Sequence, residues 1–183
     1  MSLLAERLLA VHDALDRAGL PHAFGGAIAL AYCTQEPRGT RDLDINVFVG
    51  AGRAGDVFDA LPGEIAIEAG DKRRVARDGQ VRVMWGETPV DLFFSTHDYH
   101  DEAAGQVRHV PFEGRSIPVL GCESLIVFKV MFNRTRDWAD IEAMLEAGVD
   151  VRGSLEPLRR IMGGDDPAVA RLASLASLDR EDR

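Results

Sequence analysis

Leu4, Leu8, Val11 and Leu15 recur at helical spacing, which predicts an amphipathic helix over residues 2–19 with Ser2 as N-cap. Gly19 and Pro21 end it. A short strand, His22–Phe24, leads into Gly25-Gly26, and residues 27–33 read as helical. Residues 43–49 alternate strictly: Leu43, Ile45, Val47 and Val49 take one face, while Asp42, Asp44 and Asn46 take the other. A helix over 53–61 and a strand over 64–68 follow. Val81–Trp85 and Val90–Ser95 read as paired strands joined by Gly86-Glu87-Thr88-Pro89. A second hairpin, 107–112 with 116–120, turns around Glu113-Gly114-Arg115. From Cys122 the period becomes helical, with helices over 122–133 and 136–147 and Gly148 as a C-cap signal. Ser154 and Asp166-Pro167 read as N-caps of two shorter helices, and 179–183 as a frayed tail. This order predicts an α/β (α+β) chain. A mixed sheet with helices spans 1–120, and a helical segment, 121–183, is expected to pack on it as one compact unit.

Composition narrows the setting. Hydrophobic residues make up 46% of the 183 and charged ones 28%, as in a globular protein. No apolar run approaches the ~18 residues a membrane helix needs. Glu6, Arg7, His12 and Asp13 break up the first segment, which therefore lacks the pattern of a signal peptide. Cys33 and Cys122 are too few for a disulfide framework and read as reduced thiols of a cytoplasmic protein. The net charge of −9 repels nucleic acid and attracts cationic partners. Lys72, Arg73, Arg74, Arg77 and Arg82 form a local basic run, read as a solvated loop. His97, His100 and His109 have no metal-ligand spacing and read as surface or hairpin residues.

The chemistry concentrates on carboxylates. Asp42 and Asp44, two apart on a strand, project from one face a few ångströms apart. Like charges that close need a cation between them, and Mg²⁺ favours one or two carboxylates completed by substrate phosphates. Asp91 opposes Val90, Leu92 and Phe94 on its own strand; beside Asp42 and Asp44 it would complete a site for one or two metals. Gly25-Gly26, between strand and helix, lets backbone N–H groups approach an anion at a helix N-terminus. Each signal alone reads more readily as a turn or a solvated face.

In order, Phe24-Gly25-Gly26-Ala-Ile-Ala-Leu30, Arg38-Gly-Thr40-Arg-Asp42-Leu-Asp44-Ile45 and Val90-Asp91-Leu-Phe93 resemble the polymerase-β nucleotidyltransferase superfamily. The form is similar to the small stand-alone bacterial members related to abortive-infection toxins. Leu120–Lys129 and the segment Arg134-Thr-Arg-Asp137-Trp-Ala-Asp140-Ile141 resemble their later Lys and Asp-rich segments, extending the likeness over roughly residues 22–146. The resemblance implies metal-dependent transfer of a nucleoside monophosphate from a triphosphate such as ATP to an acceptor hydroxyl. It implies Mg²⁺ or Mn²⁺ on Asp42, Asp44 and Asp91, with Gly25, Gly26, Arg38, Thr40 and Lys129 on the nucleotide. The acceptor stays open between an RNA end such as tRNA, a protein and a small molecule, and a cognate antitoxin joins the partners to consider.

The residues themselves keep alternatives open. Lys129 is the only charge in Leu125–Phe132, so it needs an anionic partner or must snorkel. Asp137 and Asp140 read as first-turn charges of a helix capped by Thr135, with Arg134–Asp137 able to buttress Lys129. Arg38 and Thr40 could position a nucleotide or cap a turn. A non-catalytic nucleotide- or partner-binding protein on the same fold, and a glycosyltransferase using Asp-x-Asp, are the rival functions.

Overall fold

The computed structural model describes residues 1–178; the tail expected to fray, 179–183, lies outside them. The chain divides into two compact units, Met1–Ile28 with Arg38–Leu120, and Ala29–Pro37 with residues 121–178.

The first unit is built on a mixed seven-stranded sheet, ordered β3-β4-β5-β2-β1-β7-β6. The strands are β1 (His22–Phe24), β2 (Leu43–Gly50), β3 (Ile65–Ala66), β4 (Gln80–Trp85), β5 (Thr88–Ser95), β6 (Arg108–Phe112) and β7 (Arg115–Val119). β2 runs parallel to β5 and β1 to β7; the other pairs are antiparallel. The predicted alternation of β2 is realised. Leu43, Ile45 and Val47 are fully buried, as are Val90, Leu92 and Phe94 beside them on β5. Phe58, on a helix over Ala54–Ala60, meets Phe94 edge-on at 6.4 Å, so this face is the core face. It fixes Asp44 and Asp91 to the opposite face.

Helix α1 (Leu3–Arg17) starts where Ser2 Oγ accepts the Ala5 N–H at 3.2 Å. It ends at Gly19, whose φ of +64° lies in the region glycine enters without strain. Next come α2 (Gly26–Thr34) and α3 (Ala54–Ala60). Two short helices depart from expectation. Residues 71–78, read as a basic loop, form α4 (Asp71–Asp78), pinned by buried Val75 and by Asp71. The Asp71 carboxylate accepts from the Glu68 N–H and from Arg74, both at 2.7 Å. Tyr99–Gly105 form α5, which buries His100, expected on the surface; His109 is exposed, as expected.

The second unit gathers the end of α2 with α6 (Cys122–Phe132), α7 (Thr135–Glu146), α8 (Leu155–Met162) and α9 (Pro167–Leu178). α6 has no polar stripe because α7, α8 and α9 all pack on it. Asn133 closes it in the left-handed conformation, and its Oδ1 accepts the Trp138 indole N–H at 2.7 Å. α7 is capped by Arg134 rather than Thr135: the Asp137 carboxylate accepts the Arg134 backbone N–H at 3.2 Å and its guanidinium at 2.7 Å. Asp166 caps α9 through the Ala168 N–H at 2.8 Å. Ser154 takes the N-cap position of α8, as expected, but its hydroxyl donates to the Glu123 carbonyl instead of capping the helix. Cys33 and Cys122 form a disulfide, which corrects their reading as reduced thiols. Among the described residues, no helix is long and apolar enough to cross a membrane.

Candidate active site

The site is assembled where β1 gives way to α2 beside the start of β2. Phe24 closes β1, its carbonyl accepting the Leu120 N–H at 2.9 Å. The Gly25 N–H donates to the Asp44 carbonyl at 2.8 Å, so the glycine turn is stitched to the acidic strand by backbone. Gly26 opens α2 at φ +49°. A Cβ built there would lie 1.8 Å from Asp44 Oδ2 and 2.5 Å from its Cγ. Glycine is therefore required at this position twice over, by conformation and by space. A Cβ on Gly25 would come within 2.9 Å of Nδ2 of the buried Asn46.

Asp42 precedes β2 and is oriented by Thr40, whose hydroxyl donates to Asp42 Oδ1 at 2.5 Å. Both carboxylates are partly exposed, on the open side of the strand. Asp42 and Asp44, hard oxygen donors two residues apart against a glycine cradle, fit a divalent cation. Thr40 thus acts on Asp42, and Arg38 is exposed on the preceding segment.

The strand register brings Asp91 to the same row. Asp91 of β5 lies opposite Asp44 of β2, and Arg82 of β4 lies opposite Asp91. Arg82 grips both oxygens of Asp91, Nε to Oδ1 at 2.8 Å and Nη2 to Oδ2 at 2.6 Å. The hydrogen bonds and charge of Asp91, then the charges of Asp42 and Asp44, push the Arg82 guanidinium further above its ordinary range. Sequence reasoning placed Arg82 in a basic run and did not pair it with Asp91. Among the described residues, no three Asp, Glu, His or Cys side chains are grouped to hold one metal ion. The fit is to the Asp42/Asp44 pair, with Asp91 occupied by a guanidinium.

Lys129 belongs to the other unit and is buried there. Its ammonium lies 2.5 Å from Asp140 and 3.5 Å from Asp137. The anionic partner its apolar helix demanded is this pair of carboxylates. Burial acts to raise the Asp137 carboxyl, but hydrogen bonds from Arg134 and the charge of Lys129 outweigh it and hold it below the usual range.

A concavity of about 500 Å³ opens at the other end of β1, between His12, Asp16, His22, Phe48 and His109. His22 Nδ1 lies 2.8 Å from the Leu20 carbonyl and its Nε2 lies 2.9 Å from His12 Nδ1. Because a carbonyl only accepts, His22 carries its hydrogen on Nδ1 and, when neutral, accepts from His12. Burial lowers both imidazoles from their ordinary value.

No protein-family model matches the chain, and no curated protein sequence matches it either. Solved structures do. The crystal structure of ANT(2")-Ia in complex with adenylyl-2"-tobramycin aligns over 99% of both chains, with a TM-score of 0.59 and 15% identity. An antigenic nucleotidyltransferase-like protein from Paracoccidioides brasiliensis covers all of this chain and 91% of its own, with a TM-score of 0.55 and 14% identity. The lincomycin-bound lincosamide adenylyltransferase LnuA matches 78% of this chain and 96% of its own, with a TM-score of 0.53 and 14% identity. A mixed sheet carrying the glycine turn and Asp-x-Asp strand, and these likenesses over nearly whole chains, give one conclusion: the protein has the polymerase-β-like nucleotidyltransferase fold.

Proposed function

We propose that the protein is a metal-dependent nucleotidyltransferase that moves a nucleoside monophosphate from a nucleoside triphosphate to a hydroxyl of a small, cationic acceptor. The observation that carries this reading is the Asp44 carboxylate lying against Gly26, where any side chain would displace it. Such closeness sets the Asp44 carboxylate directly at the start of α2 and so brings a proposed metal ligand to the helix N-terminus that would receive phosphate. Asp42 and Asp44 would hold Mg²⁺ or Mn²⁺, which when bound neutralises triphosphate charge. Thr40 fixes the Asp42 carboxylate through its hydroxyl. The first turn of α2, whose N–H groups have no intrahelical partner, supports the phosphates by hydrogen bonds and dipole. The Gly25 N–H is committed to Asp44, so Gly25 contributes shape rather than a phosphate contact. Arg38, exposed and cationic, would meet the nucleotide from solvent. Lys129 is left out of the reaction because two carboxylates already hold it.

Two observations favour a cationic small molecule over RNA. The net charge of −9 opposes a polyanionic acceptor. Fold neighbours over most of the chain include one solved with an adenylylated aminoglycoside and one solved with lincomycin. The Arg82–Asp91 pair favours the rival reading, a nucleotide-binding protein that does not turn over. Incubation with each α-labelled triphosphate, Mg²⁺ or Mn²⁺, and a panel of aminoglycosides, lincosamides and cell extract separates the two. Label should move to an acceptor, and Asp42→Asn or Asp44→Asn should stop it without changing the unfolding free energy by more than about 1 kcal/mol. Metal-dependent nucleotide binding with no transfer to any acceptor would support the rival.

A further inference from the structure

The row Arg82, Asp91, Asp44 crosses three neighbouring strands, β4, β5 and β2, at directly opposed positions. Strands lie about 4.8 Å apart, so two adjacent carboxylates would repel unless a cation accompanied them. Arg82 is that cation. Its fork occupies one lone pair on each Asp91 oxygen in the bidentate arrangement that gives the strongest guanidinium–carboxylate pairing. The Asp91 side chain is only 15% exposed, so water competes weakly for it. Unlike a lysine or a histidine, Arg82 cannot lose its charge to make room.

We propose that Arg82, through its fork and its fixed charge, keeps a second divalent ion off Asp91, so that this chain holds one divalent ion, on Asp42 and Asp44, and not two. This rests on the metal reading of the Asp42/Asp44 pair. An ion at Asp91 would find only the remaining lone pair on each oxygen, with the fixed guanidinium charge held beside it by two charge-assisted hydrogen bonds. Arg82 is consequently a positioning residue: it holds Asp91 and balances the acidic row, and it sets the number of ions the site accepts.

Counting ions tests this without any turnover. Mn²⁺ binding to the full chain is followed by electron paramagnetic resonance and calorimetry, with and without a non-hydrolysable α,β-methylene triphosphate. The wild type should bind one Mn²⁺, and Asp44→Asn should lose it. Arg82→Met should gain a second ion, bound about ten- to a hundredfold more tightly than any second ion in the wild type. Adding Asp91→Asn to Arg82→Met should remove that ion again. Arg82→Lys, which keeps the charge but not the fork, should gain little or no second-ion binding. Arg82 is 58% exposed in its side chain, and circular dichroism checks that each variant is folded. Two ions in the wild type, or one ion in both wild type and Arg82→Met, would overturn the proposal while leaving the Asp42/Asp44 reading standing. No ion in any variant would remove that reading, and this inference with it.

Discussion

Gly26→Ala measures how closely the glycine turn is fitted to Asp44. Two costs add. Alanine at φ +49° sits in the left-handed region, at about 1–2 kcal/mol. Gly19 supplies the reference for that cost alone: its φ is +64°, and a Cβ there meets nothing within 4 Å. At Gly26 the added Cβ also overlaps Asp44, at 1.8 Å from Oδ2, 2.5 Å from Cγ and 3.0 Å from Cβ. Rotating the carboxylate relieves the first two contacts and leaves the third, which puts an off-rotamer charge of about 0.5–1.5 kcal/mol on top of the backbone strain. Urea unfolding should therefore show Gly26→Ala costing about 1 kcal/mol more than Gly19→Ala. In an Asp44→Ala background most of that excess should vanish, a coupling that double-mutant cycles resolve. Because the carboxylate that moves is a proposed metal ligand, Mn²⁺ affinity should fall at least about tenfold in Gly26→Ala, a loss of 1.4 kcal/mol, and stay unchanged in Gly19→Ala. Equal stability losses for the two glycines, or strict additivity of Gly26→Ala with Asp44→Ala, would refute the reasoning.

Asp140→Ala strips the buried Lys129 ammonium of its 2.5 Å partner and should destabilise the protein by about 3–5 kcal/mol, read from the urea midpoint. Replacing Lys129 and Asp140 together by Met and Leu should recover most of that loss; a double variant no more stable than Asp140→Ala would count against the pairing. Reduction of Cys33–Cys122, which closes 89 residues of chain, should lower stability by up to about 4–5 kcal/mol through the larger entropy of the unfolded chain. An unchanged midpoint in dithiothreitol would contradict it. Burial lowers His12, His22, His97 and His100 below the usual imidazole value, so below about pH 6.5 the unfolded chain binds more protons than the folded one. Stability from these groups is complete above that pH and should fall as pH drops toward 5, despite Asp13 and Asp16 facing His12 with Arg115 and His109 opposing them. A midpoint that rises between pH 7 and pH 5 would rule it out.

Much of this was legible because burial leaves a period. β2 and β5 were recoverable from alternation alone, since one face had to be apolar and the other was free to carry Asp44 and Asp91. α6 read as apolar nearly all round, and three helices, α7, α8 and α9, pack on it. The short helices α4 and α5 were not legible. Each has two or three buried side chains, too few for a 3.6-residue period to show against a charged surface. The disulfide was also hidden. Two cysteines separated by 89 residues carry no spacing signal, and only the fold that brings the end of α2 to the start of α6 pairs them.

The partner of Asp91 was hidden for a more instructive reason. Read as Gly86-Glu87-Thr88-Pro89, the turn between β4 and β5 pairs Trp85 with Val90 and sets Met84 opposite Asp91. The actual turn is two residues, Gly86-Glu87, with Gly86 at φ +57° and Trp85 opposite Thr88, and it sets Arg82 there instead. The two registers differ by two positions, so every side chain keeps its face and alternation cannot tell them apart. What changes is the neighbour across the strand: a thioether in one case, a guanidinium in the other. The electrostatics of the acidic row, and with them the proposed limit of one ion, thus turn on whether Thr88 and Pro89 belong to a turn or to a strand. Thr88 settles that locally. It is buried, and its hydroxyl accepts a hydrogen bond from Arg7 of α1, a contact that an exposed turn residue would have no reason to make.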